Sequence, residues 1–294
     1  MKVAVVGANG QLGNDLVQTF ADSGDEVCTL THADIEVGDL SSVRSALLRL
    51  QPQVLVNTAA MHHVEACEQE PEKAFVVNAI GPRNLALIAR ELDAILIQVS
   101  TDYVFDGNKL TPYDESDLPR PLNVYGNTKL AGEHFVCSTT EKHFVIRTSG
   151  LYGKQPCRGK GSLNFVDLML KLARERGKVR VVNDEVVSPT STEELARQIL
   201  AVSRSTRYGL YHATAEGSCS WYEFAREIFA ATNTRVNLEV ASPNEFPAKV
   251  PRPKYSVLEN RALKLVGLNT LRQWQDQLRG YLGVPRLYAT GDAT

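Results

Sequence analysis

Residues 2–13 read KVAVVGANGQLG, in which a short apolar run leads into three glycines spaced at every third position. The run Lys2–Val6 has the length and the β-branched content of a buried strand. From Gln11 to about Ser23 the apolar residues instead recur at helical spacing. They are Leu12, Leu16, Val17 and Phe20. A strand, a glycine turn and a helix in this order indicate the first unit of an α/β fold.

The same alternation of short apolar runs and helical patterns continues to about residue 150. The further predicted strands are Glu26–Leu30, Gln53–Thr58, Ala94–Val99 and His143–Thr148. The predicted helices are Ser41–Leu50, a long helix within Pro71–Leu92, and Gly126–Cys137. Parallel strands need crossover connections, which these helices supply. The sequence therefore predicts a doubly wound parallel sheet of the Rossmann-like α/β class, with ligands beyond the carboxyl ends of the strands.

The glycine turn suits a dinucleotide. Gly7, Gly10 and Gly13 permit a tight turn, close approach of the backbone to a pyrophosphate, and close packing of the helix on the sheet. The phosphates then meet free N–H groups at the positive end of the helix. Asp39 and Leu40 suit an adenine pocket, the carboxylate accepting from the amino group and the leucine packing on the ring. Leu30-Thr31-His32 carries neither the acid typical of NAD sites nor the arginine typical of NADP sites, which leaves both cofactors open.

The sequence changes in character after Gly150. We assign residues 1–150 to a dinucleotide-binding domain and residues 151–294 mainly to a smaller C-terminal substrate-binding domain. Strands near 178–182 and 209–214 are predicted to return to the sheet of the first domain. A Gly/Lys/Arg-rich loop at Gly153–Gly161, with Arg158 and Lys160, is interpreted as a lid.

Composition and charge narrow the class of protein. The 294 residues include 32 basic and 34 acidic ones, so no basic excess indicates nucleic acid. No apolar run approaches the length of a membrane span, and no signal peptide is predicted. The five cysteines are scattered without CxxC spacing, which favours a reducing compartment. A cytoplasmic location, without a membrane or nucleic-acid partner, is the expectation.

A catalytic pair is predicted at the start of the helix that follows the fourth strand. Tyr125 and Lys129 are four residues apart and share one helix face. Reduction of a ketone needs a proton for the developing alkoxide, and a free tyrosine, with a pKa near 10, is a poor donor at neutral pH. A lysine ammonium one turn away lowers that pKa and can also bind a nicotinamide ribose. Thr101, at the end of the fourth strand, is placed to give the substrate oxygen a second hydrogen bond.

The neighbouring histidines of the chain do not indicate a metal site. His62 and His63 are adjacent and therefore project in different directions, and no second cluster completes a coordination shell. We predict no metal. Arg252, within Arg-Pro, is a candidate diphosphate or sugar contact because a guanidinium binds two oxygens at once; a surface arginine is nearly as good an interpretation.

Several motifs together resemble the dTDP-4-dehydrorhamnose reductase family, an extended branch of the short-chain dehydrogenases/reductases. They are Gly10–Gly13 (GQLG), Ser100–Gly107 (STDYVFDG), Pro121–Lys129 (PLNVYGNTK) and Arg252-Pro253. The resemblance covers nearly the whole chain. It implies reduction of dTDP-4-keto-L-rhamnose at C4 to dTDP-L-rhamnose by NADPH or NADH, with a monomer or homodimer as the working form.

The resemblance also implies site residues. The implied catalytic residues are Thr101, Tyr125 and Lys129. The cofactor-binding set comprises Gly7, Asn9, Gly10, Gln11, Leu12, Gly13, Asp39, Leu40, Ala59, Ala60, Met61, Val99, Tyr125 and Lys129. The substrate-binding set comprises Thr101, Asp102, Tyr103 and Arg252.

Two departures from the family pattern leave alternatives open. Gly150 stands where rhamnose-pathway members commonly have a tryptophan against the nucleotide-sugar, so another 4-keto-6-deoxy nucleotide-sugar is a second candidate substrate. Leu30 stands where an acid is often found, which leaves the choice of cofactor open. A non-catalytic NADP-binding subunit, resembling the regulatory subunit of methionine adenosyltransferase, is a third interpretation. The presence of Thr101, Tyr125 and Lys129 together argues against it.

Overall fold

The computed structural model describes residues 1–156, 163–242, 245 and 249–284. The strands are β1 (Lys2–Val6), β2 (Glu26–Leu30), β3 (Val54–Asn57), β4 (Ile95–Thr101), β5 (His143–Thr148), β6 (Leu151–Tyr152), β7 (Lys178–Val181), β8 (Val186–Val187), β9 (Thr190–Ser191), β10 (Gly209–His212), β11 (Cys219–Ser220) and β12 (Asn237–Val240). The α-helices are α1 (Gln11–Asp22), α2 (Leu40–Leu50), α3 (Val64–Gln69), α4 (Pro71–Phe75), α5 (Gly81–Glu91), α6 (Val124–Thr139), α7 (Phe165–Arg176), α8 (Thr192–Ser203), α9 (Trp221–Ala231), α10 (Arg261–Leu265) and α11 (Trp274–Leu282). A π-helical turn, Val76–Ile80, joins α4 to α5, and a 3₁₀ turn, Asp102–Val104, follows β4.

Six strands form the central sheet in the order β10-β5-β4-β3-β1-β2. All five pairings in this sheet are parallel. The chain leaves β1 for β2 on one side and then returns to β3 on the other, so the direction of winding reverses between β1 and β3. The predicted doubly wound parallel fold is confirmed, and this reversal is where such sheets bind ligands.

The two faces of the sheet are covered by different helices. Alternate residues of β1 point to opposite faces, so Val3 and Val5 lie in one apolar core and Ala4 and Val6 in the other. Helices α1 and α8 cover the first face, and α2 and α5 cover the second. Strands buried on both sides read as continuous apolar runs, which is why β1, β3 and β4 stood out in the sequence.

The predicted return of a strand near 178–182 to the central sheet is wrong. Lys178–Val181 pairs in parallel with Asn237–Val240 in a separate two-stranded sheet. Its residues alternate between exposed and buried, and only Val179 and Val181 enter the core beneath α7 and α9. A strand with one solvated face does not suit the interior of a parallel sheet. The strand predicted near 209–214 is β10, which lies beside β5 at the edge of the central sheet.

The remaining part of the second half packs around its own aromatic core. Phe224 of α9 lies near Tyr152, Phe165 and Trp274, and α7, α9 and α11 surround this group. None of the helices in the described ranges combines the length and apolar character that crossing a membrane would require. Most of the basic loop predicted as a lid, including Arg158 and Lys160, lies outside the described residues.

Candidate active site

The glycine loop between β1 and α1 lies at the carboxyl edge of the sheet, beside the reversal of winding. Gly7 has a φ of +80°, and its N–H donates to the Leu30 carbonyl at 2.8 Å. A Cβ atom on Gly13 would lie 2.2 Å from the Gly7 carbonyl oxygen, so α1 can pack this closely only with glycine there. Helix α1 begins after Gly10, which has no side chain to cap it. The first N–H groups of α1 therefore suit the pyrophosphate of a dinucleotide.

The other predicted cofactor residues of this loop, Asn9, Gln11 and Leu12, differ in the contacts that their side chains make. The Gln11 side-chain amide donates to the carbonyls of Gly153 (3.0 Å) and Gln155 (2.8 Å). Leu12 is buried in the core under α1, whereas Asn9 is exposed. Leu12 can therefore serve a cofactor only through its backbone, the Gln11 amide nitrogen is engaged by the loop at Gly153, and the Asn9 side chain is exposed to solvent.

The predicted adenine pocket lies at the start of α2. Asp39 caps this helix, its Oδ1 accepting from the backbone N–H of Ser41 at 2.9 Å. Leu40 is 38% exposed, although leucine favours the interior. One carboxylate oxygen of Asp39 and the apolar surface of Leu40 are thus available to an adenine amino group and ring.

The end of β2 presents no acid to a ribose diol. Asp34 accepts hydrogen bonds from the backbone N–H (2.9 Å) and the hydroxyl (2.7 Å) of Thr31, so its carboxylate is turned back onto the loop. The His32 side chain is highly exposed and lies 3.3 Å from Glu36. These contacts leave NADPH and NADH both compatible with the described residues.

Asn78, which sequence reasoning did not single out, connects the cofactor side of the site to the catalytic helix. It lies in the π-helical turn, is 1% exposed, and binds both the N–H and the carbonyl of Met61 at 2.9 Å. Its amide also donates to the hydroxyl of Thr128 at 3.1 Å, and a Cβ on Gly132 would lie 2.3 Å from its carbonyl oxygen. The predicted cofactor segment Ala59–Met61 is thereby fixed to α6. A polar residue within an apolar helical run was the signal that could have found it.

Helix α6 places Tyr125 and Lys129 where the sequence pattern predicts. Asn123 caps the helix, accepting from the N–H of Gly126 at 2.9 Å. A Cβ on Gly126 would lie 2.2 Å from the Tyr103 carbonyl, so glycine allows the 3₁₀ turn to press against α6. The ring of Tyr103 then meets that of Tyr125 edge to face, with centroids 5.8 Å apart. The structure brings Thr101, Tyr103 and Tyr125 together.

The protonation of Tyr125 follows from its surroundings. Desolvation raises the pKa of its phenol well above the ordinary value, although the residue keeps some solvent-accessible surface. A hydrogen bond with Thr101 opposes this shift, and the nearby Asp102 carboxyl adds to it. Without ligands, Tyr125 is therefore held as a neutral phenol. The expected lowering of its pKa by Lys129 is not among the main effects here.

Lys129 is a buried cation that faces a backbone carbonyl. Its Nζ donates to the carbonyl of Val99 at 2.6 Å, and the residue is 5% exposed. Burial lowers its pKa to about 8, with Glu133 opposing the shift. The carbonyl of Val99 also accepts from the side-chain amide of Gln98 at 2.8 Å, so this predicted cofactor residue also contacts Lys129.

A buried ion pair, also missed by sequence reasoning, lies one helical turn below Lys129. Glu133 of α6 accepts from Arg147 of β5 (2.7 Å) and from the Ser100 hydroxyl (2.5 Å), and all three residues are buried. The Arg147 guanidinium also lies over the ring of Phe105, 5.2 Å from its centroid. These contacts join α6 to the carboxyl ends of β4 and β5. They therefore fix the position of Lys129 on α6 relative to Thr101 at the end of β4.

The predicted substrate residues occupy different environments. Tyr103 is half-buried beside Tyr125, whereas the Asp102 carboxyl is enclosed and accepts from Ser149 at 2.8 Å. Arg252 donates through Nη2 to Glu65 of α3, and its buried Nε has no hydrogen-bond partner. Arg252 also lies near Tyr103, whose phenol pKa is raised mainly by burial.

Glu185 is a further acid on this side that the sequence pattern did not mark. Its carboxylate accepts from the Trp221 indole at 3.2 Å, and burial raises its pKa while nearby Arg252 opposes the shift. Glu185 and Arg252 thus bring the second half of the chain to the site.

Gly150 has a structural reason to be glycine. Its φ is +57°, in the left-handed region, and a Cβ there would lie 3.0 Å from the Cα of Pro189. A tryptophan would be strained at this position in the present backbone. The aromatic contact that the resemblance implies at this position is missing, because Gly150 has no side chain.

The adjacent histidines lie on the loop before α3. His63 accepts through Nδ1 from the N–H of Ala66 at 3.2 Å, which caps that helix. Within the described part of the chain, no three His, Cys, Asp or Glu residues are grouped to hold a metal ion.

Comparisons with known proteins show which family the chain belongs to. A family model described as the RmlD substrate binding domain matches residues 1–285. The chain is 40% identical to the spore coat polysaccharide biosynthesis protein SpsK of Bacillus subtilis (strain 168), over 96% of each chain. It is 36% identical to a dTDP-4-keto-6-deoxy-D-glucose reductase of Streptomyces niveus, over 93% of this chain and 94% of that one.

Among solved structures, the dTDP-4-dehydrorhamnose reductase of Bacillus anthracis str. Ames in complex with NADP superimposes with a TM-score of 0.91. The two are 37% identical, and the match covers 96% of this chain and 98% of that one. The family resemblance predicted from the motifs is confirmed: the chain belongs to the family of the RmlD substrate binding domain.

Proposed function

We propose that this protein reduces the C4 ketone of a dTDP-linked 4-keto-6-deoxy sugar, with dTDP-4-dehydro-L-rhamnose as the first candidate and NADPH or NADH as reductant. The observation that carries the proposal is the arrangement at the carboxyl edge of the sheet. Thr101 at the end of β4, Tyr125 at the start of α6 and Lys129 one turn further along this helix lie at that edge, as does the uncapped start of α1. The protein of Bacillus anthracis named above is bound to NADP.

The cofactor region fits a reduced dinucleotide. The N–H groups at the start of α1 would hold its pyrophosphate, Asp39 and Leu40 its adenine, and Ala59–Met61 would line its path toward the nicotinamide. When bound, the reduced nicotinamide supplies a hydride to the ketone carbon. The sheet edge and Asn78 hold these segments in place before any ligand arrives.

The chain's own residues then manage the proton. Tyr125, held as a neutral phenol, donates its hydroxyl proton to the ketone oxygen as negative charge develops on it. The Lys129 ammonium, one helical turn away, stabilises the tyrosinate that remains and binds ribose hydroxyls. Thr101 forms a second hydrogen bond to the ketone oxygen and orients it. Tyr103, Arg252 and Glu185 border the sugar and provide donors and acceptors for its hydroxyls.

A second substrate in the same class is favoured by two observations. Gly150 rules out the aromatic side chain that the family pattern places against the nucleotide-sugar. The Streptomyces niveus relative carries the name of a dTDP-4-keto-6-deoxy-D-glucose reductase. We therefore include other dTDP-linked 4-keto-6-deoxy sugars in the proposal.

The proposal places the enzyme in the cytoplasm, as a monomer or a homodimer. The described cysteines Cys28, Cys67, Cys137 and Cys219 are all free thiols, which supports a reducing compartment.

The test is a substrate panel. Purified protein is mixed with NADPH or NADH and each dTDP-4-keto-6-deoxy sugar, and oxidation of the reduced nicotinamide is followed by absorbance while the sugar product is identified by NMR. We expect turnover with at least one sugar and a C4 hydroxyl in the product. Tight binding of NADPH without oxidation by any member of the panel would contradict the proposal and favour a regulatory subunit.

A further inference from the structure

An ion pair between the two halves of the chain lies beside the start of α6. Arg252, from the second half, donates through Nη2 to Oε1 of Glu65 in α3. The Nε of the same guanidinium is buried and has no hydrogen-bond partner. Among the described residues, Glu65 is therefore the group that holds the guanidinium by a hydrogen bond. The direction in which Arg252 can offer its remaining donors to a ligand depends on this contact.

The backbone on either side of Arg252 is fastened independently of its side chain. The carbonyl of Pro251 accepts from the side-chain amide of Asn123 at 2.9 Å, and Asn123 caps α6. A Cβ on Gly107 would lie 2.9 Å from the Cα of Pro253, so the chain after Arg252 packs directly on the end of the STDYVFDG motif. These two contacts place Arg252 near the start of the helix that carries the predicted catalytic pair.

The helix of Glu65 is fastened to the same end of α6. Oε1 of Glu68, one turn after Glu65 in α3, accepts from the backbone N–H of Val124 at 2.7 Å. Glu65 and Arg252 thus project from two backbones that are each held at the start of α6. Their ion pair joins these two backbones through side chains alone. A change in either side chain therefore alters the ion pair and leaves both backbone anchors in place.

Glu185 is a second acid near Arg252. Strand β8 begins at the next residue, Val186, whose N–H donates to the carbonyl of Lys254 at 2.8 Å, so this pairing brings the two chain segments together. Burial raises the pKa of the Glu185 carboxyl, and the charge of Arg252 opposes that effect. The ammonium of Lys254 lies 3.6 Å from Asp184 and is therefore already paired. Arg252 is thus the cation that faces Glu185 from this segment.

The charges of this cluster suit a neutral sugar better than a diphosphate. Desolvation acts to raise the pKa of the Glu65 carboxyl, but its own backbone N–H and Arg252 lower it, so Glu65 is an anion at neutral pH. A diphosphate beside Arg252 would meet one cation that is already paired, and two acids. A sugar hydroxyl, in contrast, accepts one hydrogen bond and donates another, so a guanidinium and a carboxylate can bind it together.

We propose that Glu65 is a positioning residue that holds the Arg252 guanidinium against the sugar part of the substrate, and that the pair recognises sugar hydroxyls and not the diphosphate. This inference rests on the proposed function. In the complex, Arg252 donates to the oxygen of a ring hydroxyl, and Glu185 accepts the proton of that hydroxyl. The pair takes no part in the transfer of the hydride or the proton.

The test separates the sugar from the nucleotide. Calorimetric titration in the presence of NADPH measures the Kd of dTDP and of dTDP-L-rhamnose, the product of the first candidate substrate. We expect the Kd for dTDP-L-rhamnose to rise about tenfold in Glu65→Gln and roughly 10–100-fold in Arg252→Gln, because each variant weakens a hydrogen bond to a charged group. The Kd values for dTDP and for NADPH should stay unchanged. An unchanged Kd for dTDP-L-rhamnose in Glu65→Gln, or an equal rise for dTDP, overturns the inference.

Glu68→Gln is the matched control for Glu65→Gln. It removes the same charge from the same helix, and the oxygen of the new side chain can still accept from the N–H of Val124. Its Kd for dTDP-L-rhamnose should equal that of the wild type. A rise as large as that in Glu65→Gln would show that the charge of α3 matters and the ion pair does not, which overturns the inference.

A double variant shows whether Glu65 acts through Arg252. His63 also lies 3.6 Å from Glu65, so Glu65 has a second contact on its own side of the site. If Glu65 only positions Arg252, adding Glu65→Gln to Arg252→Gln should not raise the Kd for dTDP-L-rhamnose any further. A further rise as large as that of Glu65→Gln alone would assign its effect to another contact and overturn the inference. A wild-type protein that binds neither dTDP nor dTDP-L-rhamnose would instead contradict the proposed function.

Discussion

At the scale of single residues, Tyr125 and Lys129 have separate environments, although their spacing predicted that Lys129 lowers the pKa of Tyr125. Burial and the Asp102 carboxyl keep the Tyr125 phenol protonated in the ligand-free protein, because the ion is poorly solvated there. Burial also brings the Lys129 pKa down to about 8. A protonated Tyr125 and a Lys129 with a lowered pKa are consistent with the proposed roles of Tyr125 as the proton donor and Lys129 as a ligand-binding cation that supports the tyrosinate.

Replacing Tyr125 by Phe removes only the hydroxyl that donates the proton. We expect kcat to fall by about 10²–10⁴-fold, the usual contribution of a general acid, with little change in the Kd for NADPH. Fluorescence titration measures the Kd, and the kcat comes from the absorbance assay. A rate within a fewfold of wild type would show that another group donates the proton.

The pKa of Lys129 makes cofactor binding depend on pH. The ammonium form binds ribose hydroxyls and the anionic dinucleotide, and it is fully populated only below pH 8. As pH rises through about 8, the protein must take up a proton to bind, so the affinity for NADPH should weaken. Titrations on either side of this pH measure the slope. The Lys129→Met variant should bind NADPH more weakly, and its affinity should no longer depend on pH near 8. An identical pH dependence in the variant and the wild type would show that another group causes it.

At the scale of elements, the parts that could be predicted are those with a clear apolar pattern. Strands β1, β3 and β4 were visible as continuous apolar runs, and helix α1 was visible through the helical spacing of its buried residues. Lys178–Val181 was also predicted as a strand, but the prediction that it joins the central sheet was wrong. A short alternating run does not specify which sheet a strand joins. Asn78 was missed because a π-helical turn has no period of its own, and Glu133 and Arg147 because their contact depends on the packing of α6 on β5.

The contact between α6 and the π-helical turn can be tested through glycine. In Gly132→Ala, the new methyl group would lie 2.3 Å from the Asn78 carbonyl, so the two helices must separate. We expect a loss of about 1–3 kcal/mol in the free energy of unfolding and a higher KM for NADPH, since Met61 moves with Asn78. Denaturant unfolding and steady-state kinetics measure the two effects.

Gly280 in α11 provides the control for that substitution. The nearest atom to a Cβ there is Arg272 Nη2 at 3.8 Å, so Gly280→Ala meets no obstacle. It should stabilise the protein by about 0.5–1 kcal/mol through helix propensity and leave the kinetics unchanged. Similar results for the two alanine variants would mean that close packing at Gly132 does not matter.

At the scale of the whole molecule, the two halves predicted from sequence are joined through the central sheet. Helix α8 lies in the second half but packs against α1, with Leu195 and Ile199 fully buried on the face of the sheet that α1 covers. Strand β10 also comes from the second half and pairs with residues 144–147 at the edge of β5. The first 150 residues therefore contain the glycine loop, Thr101, Tyr125 and Lys129, but not all of the apolar surface that holds them in place.

This arrangement predicts the behaviour of a fragment that ends at Gly150. Without α8, the apolar side chains of α1 and β5 face water, and without β10 the backbone groups at the edge of β5 are unpaired. We expect residues 1–150 alone to melt without a cooperative transition, to bind a hydrophobic dye, and to lose measurable affinity for NADPH, whereas the full chain melts cooperatively. Circular dichroism, dye fluorescence and NADPH titration measure these properties. A fragment that melts cooperatively and binds NADPH like the full chain would show that the dinucleotide-binding half is an independent domain, and that α8 and β10 only add to a structure already complete.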